Sequence, residues 1–217
     1  MKLFVFDHCP FCIKAMMVAG LKKIDLEIVY LQNHDINARI EKVGENLVPI
    51  LQKEDGSFMA ESLDIVIHLD ALDGNPLLLA NKHKEDIARY LEAAGPFSSR
   101  LLYPRWLMID LPEFQCQEAK DWFVAKKSKM IEQDFDDAFA RSEEYLDGLN
   151  QALAEHLNWV RLPSERNNEL ACDDVNLFPF LRNLTVVKGV DFPSHVRKYI
   201  DEVATLTNIN LYDDVAV

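Results

Sequence analysis

In KLFVFDHCPFCIKAMMVAG, residues 2–20, a short apolar run gives way after Asp7-His8 to two cysteines with a proline between them. Residues 2–6 read as a buried strand, being short and rich in aromatic and β-branched residues. From Cys12 the positions Cys12, Ala15, Met16 and Ala19 recur at i, i+3, i+4 and i+7, one face of a helix that ends near Gly20-Leu21-Lys22. LEIVYL, residues 26–31, supplies a second strand, so the chain opens as a βαβ unit with parallel strands.

Outward from that unit, a helix-compatible stretch from Asn37 to Val43 stops at Gly44. LVPIL (47–51) and SFMA (57–60) read as two short strands, and Asp55-Gly56 between them marks a hairpin turn. Leu63, Ile65, Val66, Leu69 and Leu72 then give a helix ending before Asp73-Gly74-Asn75-Pro76. The order is βαβαββα, an α/β domain with a mixed sheet over residues 1–72. Strand signals stop there, which predicts a linker over 73–82 and an all-helical domain over 83–217. Its helices are expected at 84–108, with a break or kink at Gly95-Pro96, and at about 113–128, 131–158, 174–188 and 194–206.

Composition narrows the function classes. A chain of 217 residues with 49% hydrophobic content can bury a core without disulfides. A net charge of −13 argues against a nucleic-acid groove or an anionic membrane surface as partner. Both halves share the acidity: 7 basic and 11 acidic side chains in residues 1–72, 16 and 25 in the rest. No stretch approaches the roughly 18 apolar residues of a membrane span, and the four-residue apolar run before Asp7 falls short of an export signal. A cytoplasmic monomer is expected. Cys116 and Cys172 fall in helical patterns, where a free cysteine is expected to be a small buried hydrophobe. The acidic run Glu132–Asp137 reads as the solvated start of a helix.

The cysteine pair carries the chemistry. Cys9 falls at the turn from strand to helix, where the free N–H groups of the helix end favour a thiolate. Pro10 suits the first helical position, because its missing N–H has no partner there and its φ is already helical. Cys12 lies one turn in, within disulfide reach of Cys9 but more buried. The first sulfur should attack and the second should resolve. A zinc site would need a second ligand pair, which the six histidines do not supply near another cysteine. Two purely structural cysteines would leave the intervening proline unexplained. His8 either helps hold Cys9 as a thiolate or is exposed loop.

With these residues in place the sequence resembles the glutaredoxins, thioredoxin-fold enzymes that use glutathione and carry CPYC where this chain has CPFC. Val48-Pro49 is similar to the family's VP segment, whose proline is cis and whose preceding backbone pairs with the cysteinyl part of glutathione. Glu61-Ser62 is similar to the ES pair that holds the γ-glutamyl end. Read without the family, Pro49 opens an edge strand and Ser62 is a helix N-cap. Over nearly all its length, including LFPFLRNLT at 177–185, the chain resembles the two-domain bacterial glutaredoxins of the glutaredoxin 2 type. That resemblance implies a thioredoxin-like N-terminal domain, an all-α glutathione-transferase-like C-terminal domain and glutathione as co-substrate, with no tightly bound cofactor and no metal. It makes Cys9 and Cys12 the catalytic pair, and Pro10, Phe11, Val48, Pro49, Glu61 and Ser62 the glutathione-binding residues. Disulfide-containing or glutathionylated proteins become the expected partners. Three departures stand out. Phe11 lacks the usual tyrosine hydroxyl, and Asp7-His8 stands where small glutaredoxins carry a basic residue. Ala171-Cys172-Asp173-Asp174 also replaces the usual Ser or Thr N-cap of the last motif, leaving Asp173 to cap. The competing readings are a glutathione transferase, an iron–sulfur-bridging glutaredoxin and a non-enzymatic docking module.

Overall fold

The computed structural model describes residues Met1–Val217. Contacts divide the chain into two compact units, the first made of Met1–Leu77, Asp110–Phe123 and Thr207–Ile209, the second of Leu78–Ile109, Val124–Leu206 and Asn210–Val217. Residues 110–123 and 207–209, read from the sequence as part of a helical half, pack within the sheet-bearing unit.

In the first unit β1 (Lys2–Val5), α1 (Pro10–Leu21), β2 (Glu27–Tyr30), α2 (Asn37–Val43), β3 (Ile50–Gln52), β4 (Phe58–Met59) and α3 (Ser62–Ala71) follow in the predicted βαβαββα order. The sheet runs β2-β1-β3-β4. β1 pairs in parallel with β2, and antiparallel with β3 through Leu3↔Leu51 and Phe4↔Ile50. β4 returns antiparallel to β3 through Leu51↔Met59. The two inner strands, β1 and β3, are the apolar ones, as they must be with neighbours on both edges: Leu3, Val5, Ile50 and Leu51 are fully buried with Ile13, Ile65 and Leu69 of the helices.

α1 and α3 pack on one another, and the ammonium of Lys22 ties their ends by donating to the Asp73 carboxylate at 2.6 Å and the Asn75 carbonyl at 2.8 Å. Gly20 is required by a close approach, because a Cβ there would lie 1.8 Å from the carbonyl oxygen of Thr207. Gly56, at φ +82°, closes the hairpin between β3 and β4.

The remaining helices are α4 (Lys84–Arg105), α5 (Gln117–Ile131), α6 (Phe135–Ala140), α7 (Ser142–His156), α8 (Cys172–Leu184) and α9 (Ser194–Thr207). In the second unit α4 packs against α6, α7 and α8 around buried Tyr90, Leu101, Trp106, Leu149, Leu153 and Phe178. Four expectations are corrected. α4 is not broken at Gly95-Pro96, which removes the break from the expected break or kink; there Ser99 Oγ donates to the Gly95 carbonyl and Arg100 to the Pro96 carbonyl. The helix expected over 131–158 is two, because Glu132 turns left-handed at φ +53° after α5 and Arg141 separates α6 from α7. Cys116 and Cys172 are half-buried instead of fully buried: Cys116 precedes α5, and Cys172 is the first residue of α8. Asp173 does not cap α8. Its carboxylate accepts the backbone N–H groups of Lys82 and His83 at the start of α4, while Asp174 accepts the N–H of Ala171 at 2.6 Å. No helix is long and apolar enough to cross a membrane.

Candidate active site

Strand register brings the three sequence-predicted segments to one end of the sheet. β1 runs towards Cys9, and the pairing of Phe4 with Ile50 sets Pro49, just before β3, level with that same end. β4 returns in the opposite sense to β3, so Glu61-Ser62 also emerges there. The Val48-Pro49 bond is cis.

Cys9 is the N-cap of α1, in extended backbone, and Pro10 takes the first helical position. The local rule is simple: proline needs no N–H partner at this position, so the strand can end and the helix begin within one residue. The N–H groups of the first turn are left pointing at the Cys9 sulfur.

The two thiols are free and differ in character. Cys9 is 8% exposed and Cys12 wholly buried. A hydrogen bond from the Cys12 side chain lowers the Cys9 thiol to about 7 against the opposing effect of burial, helped by the charge of His8 and the backbone N–H groups of Cys12 and Phe11. Cys12 is pushed well up, chiefly by burial, then by its bond to Cys9 and the Cys9 charge, with Glu113 adding to the effect. One sulfur is thus set to be a thiolate near neutral pH and its neighbour to stay a thiol that donates to it.

His8 is not exposed loop. Its ring stacks on Phe6 at 5.9 Å and on Phe114 at 5.4 Å, with the edge of Phe123 at 5.5 Å. Its backbone N–H donates to Glu113 Oε1 at 3.0 Å, and its Nδ1 lies 2.5 Å from the same oxygen. Glu113 belongs to a 3₁₀ turn, Pro112–Phe114, and is fully buried. Burial pushes its carboxyl up, but the His8 ring bond, the His8 charge and the His8 N–H outweigh this and hold it below the ordinary carboxylate range.

Sequence reasoning missed Glu113 and Lys14. A glutamate after a proline looks like any solvated turn residue, and only tertiary packing buries it. Lys14 lies on the inward side of α1, its ammonium 5.2 Å from the centre of the Phe11 ring. Burial lowers its pKa against the pull of the Cys9 charge.

Of the other predicted site residues, Phe11 is 49% exposed, Pro10 and Val48 are half-buried, and Pro49 is buried. Glu61 is exposed and holds φ +67°, ψ 111°, a backbone conformation rare for a side-chain-bearing residue. The N-cap of α3 falls on Glu61, and Ser62 is the first helical residue. The N–H groups of Ser62, Leu63 and Asp64 are therefore without intrahelical partners, the first ladder bond being Ile65 N–H to the Glu61 carbonyl. No group of three or more His, Cys, Asp or Glu side chains could hold a metal ion.

Comparison with known proteins matches residues 86–216 to the family described as glutaredoxin 2, C terminal domain. Residues 3–77 match the glutathione S-transferase N-terminal domain. The chain is 40% identical to glutaredoxin 2 of Escherichia coli K12 over 217 residues, all of both chains. The crystal structure of glutaredoxin 2 from Salmonella typhimurium in complex with glutathione is 39% identical and superimposes with a TM-score of 0.92, covering 100% of this chain and 98% of that one. A glutathione transferase from Phanerochaete chrysosporium, 16% identical, shares the fold with a TM-score of 0.66 over 94% of this chain and 96% of its own. With both halves matched and full-length identity of this order, the chain belongs to the glutaredoxin 2 family.

Proposed function

We propose that the protein is a dithiol glutaredoxin in which Cys9 is the nucleophile and Cys12 the resolving thiol. Membership of the family makes it a glutathione-dependent oxidoreductase. The observation that carries the finer reading is the contrast between the two sulfurs: Cys9 at the helix N-terminus with its thiol at about 7, Cys12 buried beside it and pushed the other way. An attacking thiol works best with a pKa near the ambient pH.

With a protein–glutathione mixed disulfide, the Cys9 thiolate attacks the glutathione sulfur. The Cys9–glutathione bond forms as the protein sulfur leaves and takes a proton. A second glutathione thiolate attacks the glutathione sulfur held on Cys9, giving oxidised glutathione and restoring the Cys9 thiolate. With a protein disulfide, Cys9 forms a mixed disulfide and releases one protein thiol. Cys12 then loses its proton and attacks Cys9, releasing the second. Two glutathiones reduce the resulting Cys9–Cys12 disulfide, one forming a mixed disulfide and the next leaving as oxidised glutathione.

Glutathione is assigned to the sheet end where the three segments meet. The γ-glutamyl carboxylate would take the free N–H groups at the start of α3, beginning with Ser62 and beside Glu61, since a helix N-terminus favours an anion. The Val48 backbone, ahead of Pro49, would pair with the cysteinyl part, with Pro10 and Phe11 flanking the sulfur. Disulfide-containing and glutathionylated proteins are the proposed substrates, the working form a cytoplasmic monomer. Residues 1–72 form its redox domain, 73–82 the linker and 83–217 the helical domain.

Glutathione-dependent turnover of a small mixed disulfide tests the assignment. Cys9→Ser should abolish it and Cys12→Ser should retain it, while reduction of a protein disulfide should fail in Cys12→Ser. Turnover surviving in Cys9→Ser, or protein-disulfide reduction surviving in Cys12→Ser, would overturn the dithiol scheme.

A further inference from the structure

A carboxylate with no exposed surface sits next to the active-site turn, and one of its two oxygens has no partner. Glu113 Oε1 receives both the backbone N–H and the ring Nδ1 of His8; Glu113 Oε2 is buried with nothing bonded to it. The two residues are 105 positions apart in sequence and meet within the first compact unit.

This arrangement is poor structural economy. Burying a charge costs several kcal/mol unless its hydrogen-bonding capacity is filled, and an apolar residue of similar volume is often neutral or better. Had the carboxylate served only to hold the fold, both oxygens would be expected to find donors. Half of its capacity is spent on one residue, and that residue adjoins Cys9. The imidazole is in turn fixed in position, clasped between Phe6 and Phe114 with Phe123 at its edge. Those three ring neighbours are all apolar, and Glu113 Oε1 is bonded to the ring nitrogen.

We propose that Glu113 is a positioning residue of the thiol–disulfide reaction: its buried carboxylate, bonded to both the backbone N–H and the ring Nδ1 of His8, fixes the imidazole of the residue that adjoins Cys9. The two residues then act on the two sulfurs in opposite senses. His8 favours the thiolate of Cys9, and Glu113 disfavours a thiolate on Cys12. The bonded pair sorts attacker from resolver. It also fills the role left open by Asp7-His8 at the place where small glutaredoxins carry a basic residue. Other titratable groups near Cys9 are Cys12 and Lys14 on α1, with Asp7 next to His8 in the chain.

The inference rests on Cys9 being the nucleophile, but its test does not need turnover. The rate of Cys9 alkylation by iodoacetamide is followed across pH 5 to 10 in the full-length reduced protein, with peptide mapping to separate Cys9 from half-buried Cys116 and Cys172. In Glu113→Gln the ring keeps a hydrogen-bonding neighbour of the same size but loses the carboxylate. The alkylation midpoint should move up, slowing the reaction at pH 6 by about three- to tenfold, since one pKa unit is tenfold in thiolate well below the midpoint. His8→Gln should give the same displacement, and the double variant no more than His8→Gln alone, because Glu113 acts through His8. Glu113→Asp, which keeps the charge, should recover part of the rate. A folded Glu113→Gln with the wild-type profile would overturn the proposal, as would additive effects in the double variant. If Glu113→Gln fails to fold, His8→Gln decides alone: an unchanged Cys9 profile refutes the role. Failure of the nucleophile assignment looks different, since turnover would then survive in Cys9→Ser whatever this profile shows.

Discussion

Replacing Cys12 separates two roles that the structure gives its thiol, resolving a mixed disulfide and donating to the Cys9 thiolate. The donated bond is the largest influence lowering Cys9 to about 7. A hydrogen bond to a charged group is worth about 1.5–3 kcal/mol and a pKa unit about 1.36 kcal/mol, so its loss should raise Cys9 by roughly one to two units. In Cys12→Ala the thiolate fraction at pH 7 should therefore fall from about half to about a tenth or less. Cys12→Ser, whose hydroxyl can still donate, should stay close to wild type. The assay is the pH dependence of thiolate absorbance near 240 nm, each trace corrected with the matching Cys9→Ser variant. Monothiol turnover at pH 7 should follow the same order, and Cys12→Ala should recover at pH 9, where its thiolate is restored. A Cys12→Ala protein titrating within half a unit of wild type would refute the reasoning. The helix end and His8 would then be sufficient by themselves.

Three further outcomes are expected. Gly20→Ala would gain about 1 kcal/mol of helix propensity on an open helix, but here the new methyl meets the Thr207 carbonyl at 1.8 Å. The expected result is a loss of about 1–3 kcal/mol in the urea midpoint, and a gain would contradict the close approach. Glu61→Gly should relieve the strained φ of +67°, leaving stability unchanged or raised by about 1 kcal/mol, while increasing the KM for glutathione by removing a binding side chain. Glu113 is held below its ordinary carboxylate value in the folded protein, so its ionised form stabilises the fold above the unfolded value of about 4.3 and that contribution is lost as pH falls through the lower, folded value. Urea midpoints from pH 6 down to pH 3 should consequently drop more steeply for wild type than for Glu113→Gln. A steeper drop in the variant would reverse the sign of the argument.

The first unit was legible because each of its elements carries its own local signal. The apolar run at Leu3–Phe6, the helical spacing after Cys12 and the Asp55-Gly56 turn are all short-range patterns, and they place Cys9 at a helix N-cap before any packing is known. What could not be read was set by contacts distant in sequence. Glu113 looks like a solvated turn residue and becomes part of the active-site turn only because residues 110–123 pack with the sheet. The acidic run at 132–137 is a helix start in its later part, since Asp136 and Asp137 lie in the first turn of α6. Its other end is not helical, because Glu132 is left-handed, which leaves no mark in a periodicity of apolar positions. Pro96 lies inside a helix that is not broken there. Ser98, Ser99 and Arg100, two to four residues past it, donate to the Gly95 and Pro96 carbonyls as the helix continues.

The central claim is that glutathione passes through a covalent bond to Cys9. The most direct test is to expose Cys12→Ser, which cannot resolve the adduct internally, to oxidised glutathione and to locate the modification by peptide mass. The account predicts one glutathione per chain, on Cys9, released by added glutathione at the rate of turnover. Modification of Cys116 or Cys172 with Cys9 left free, in protein that still turns over, would contradict it.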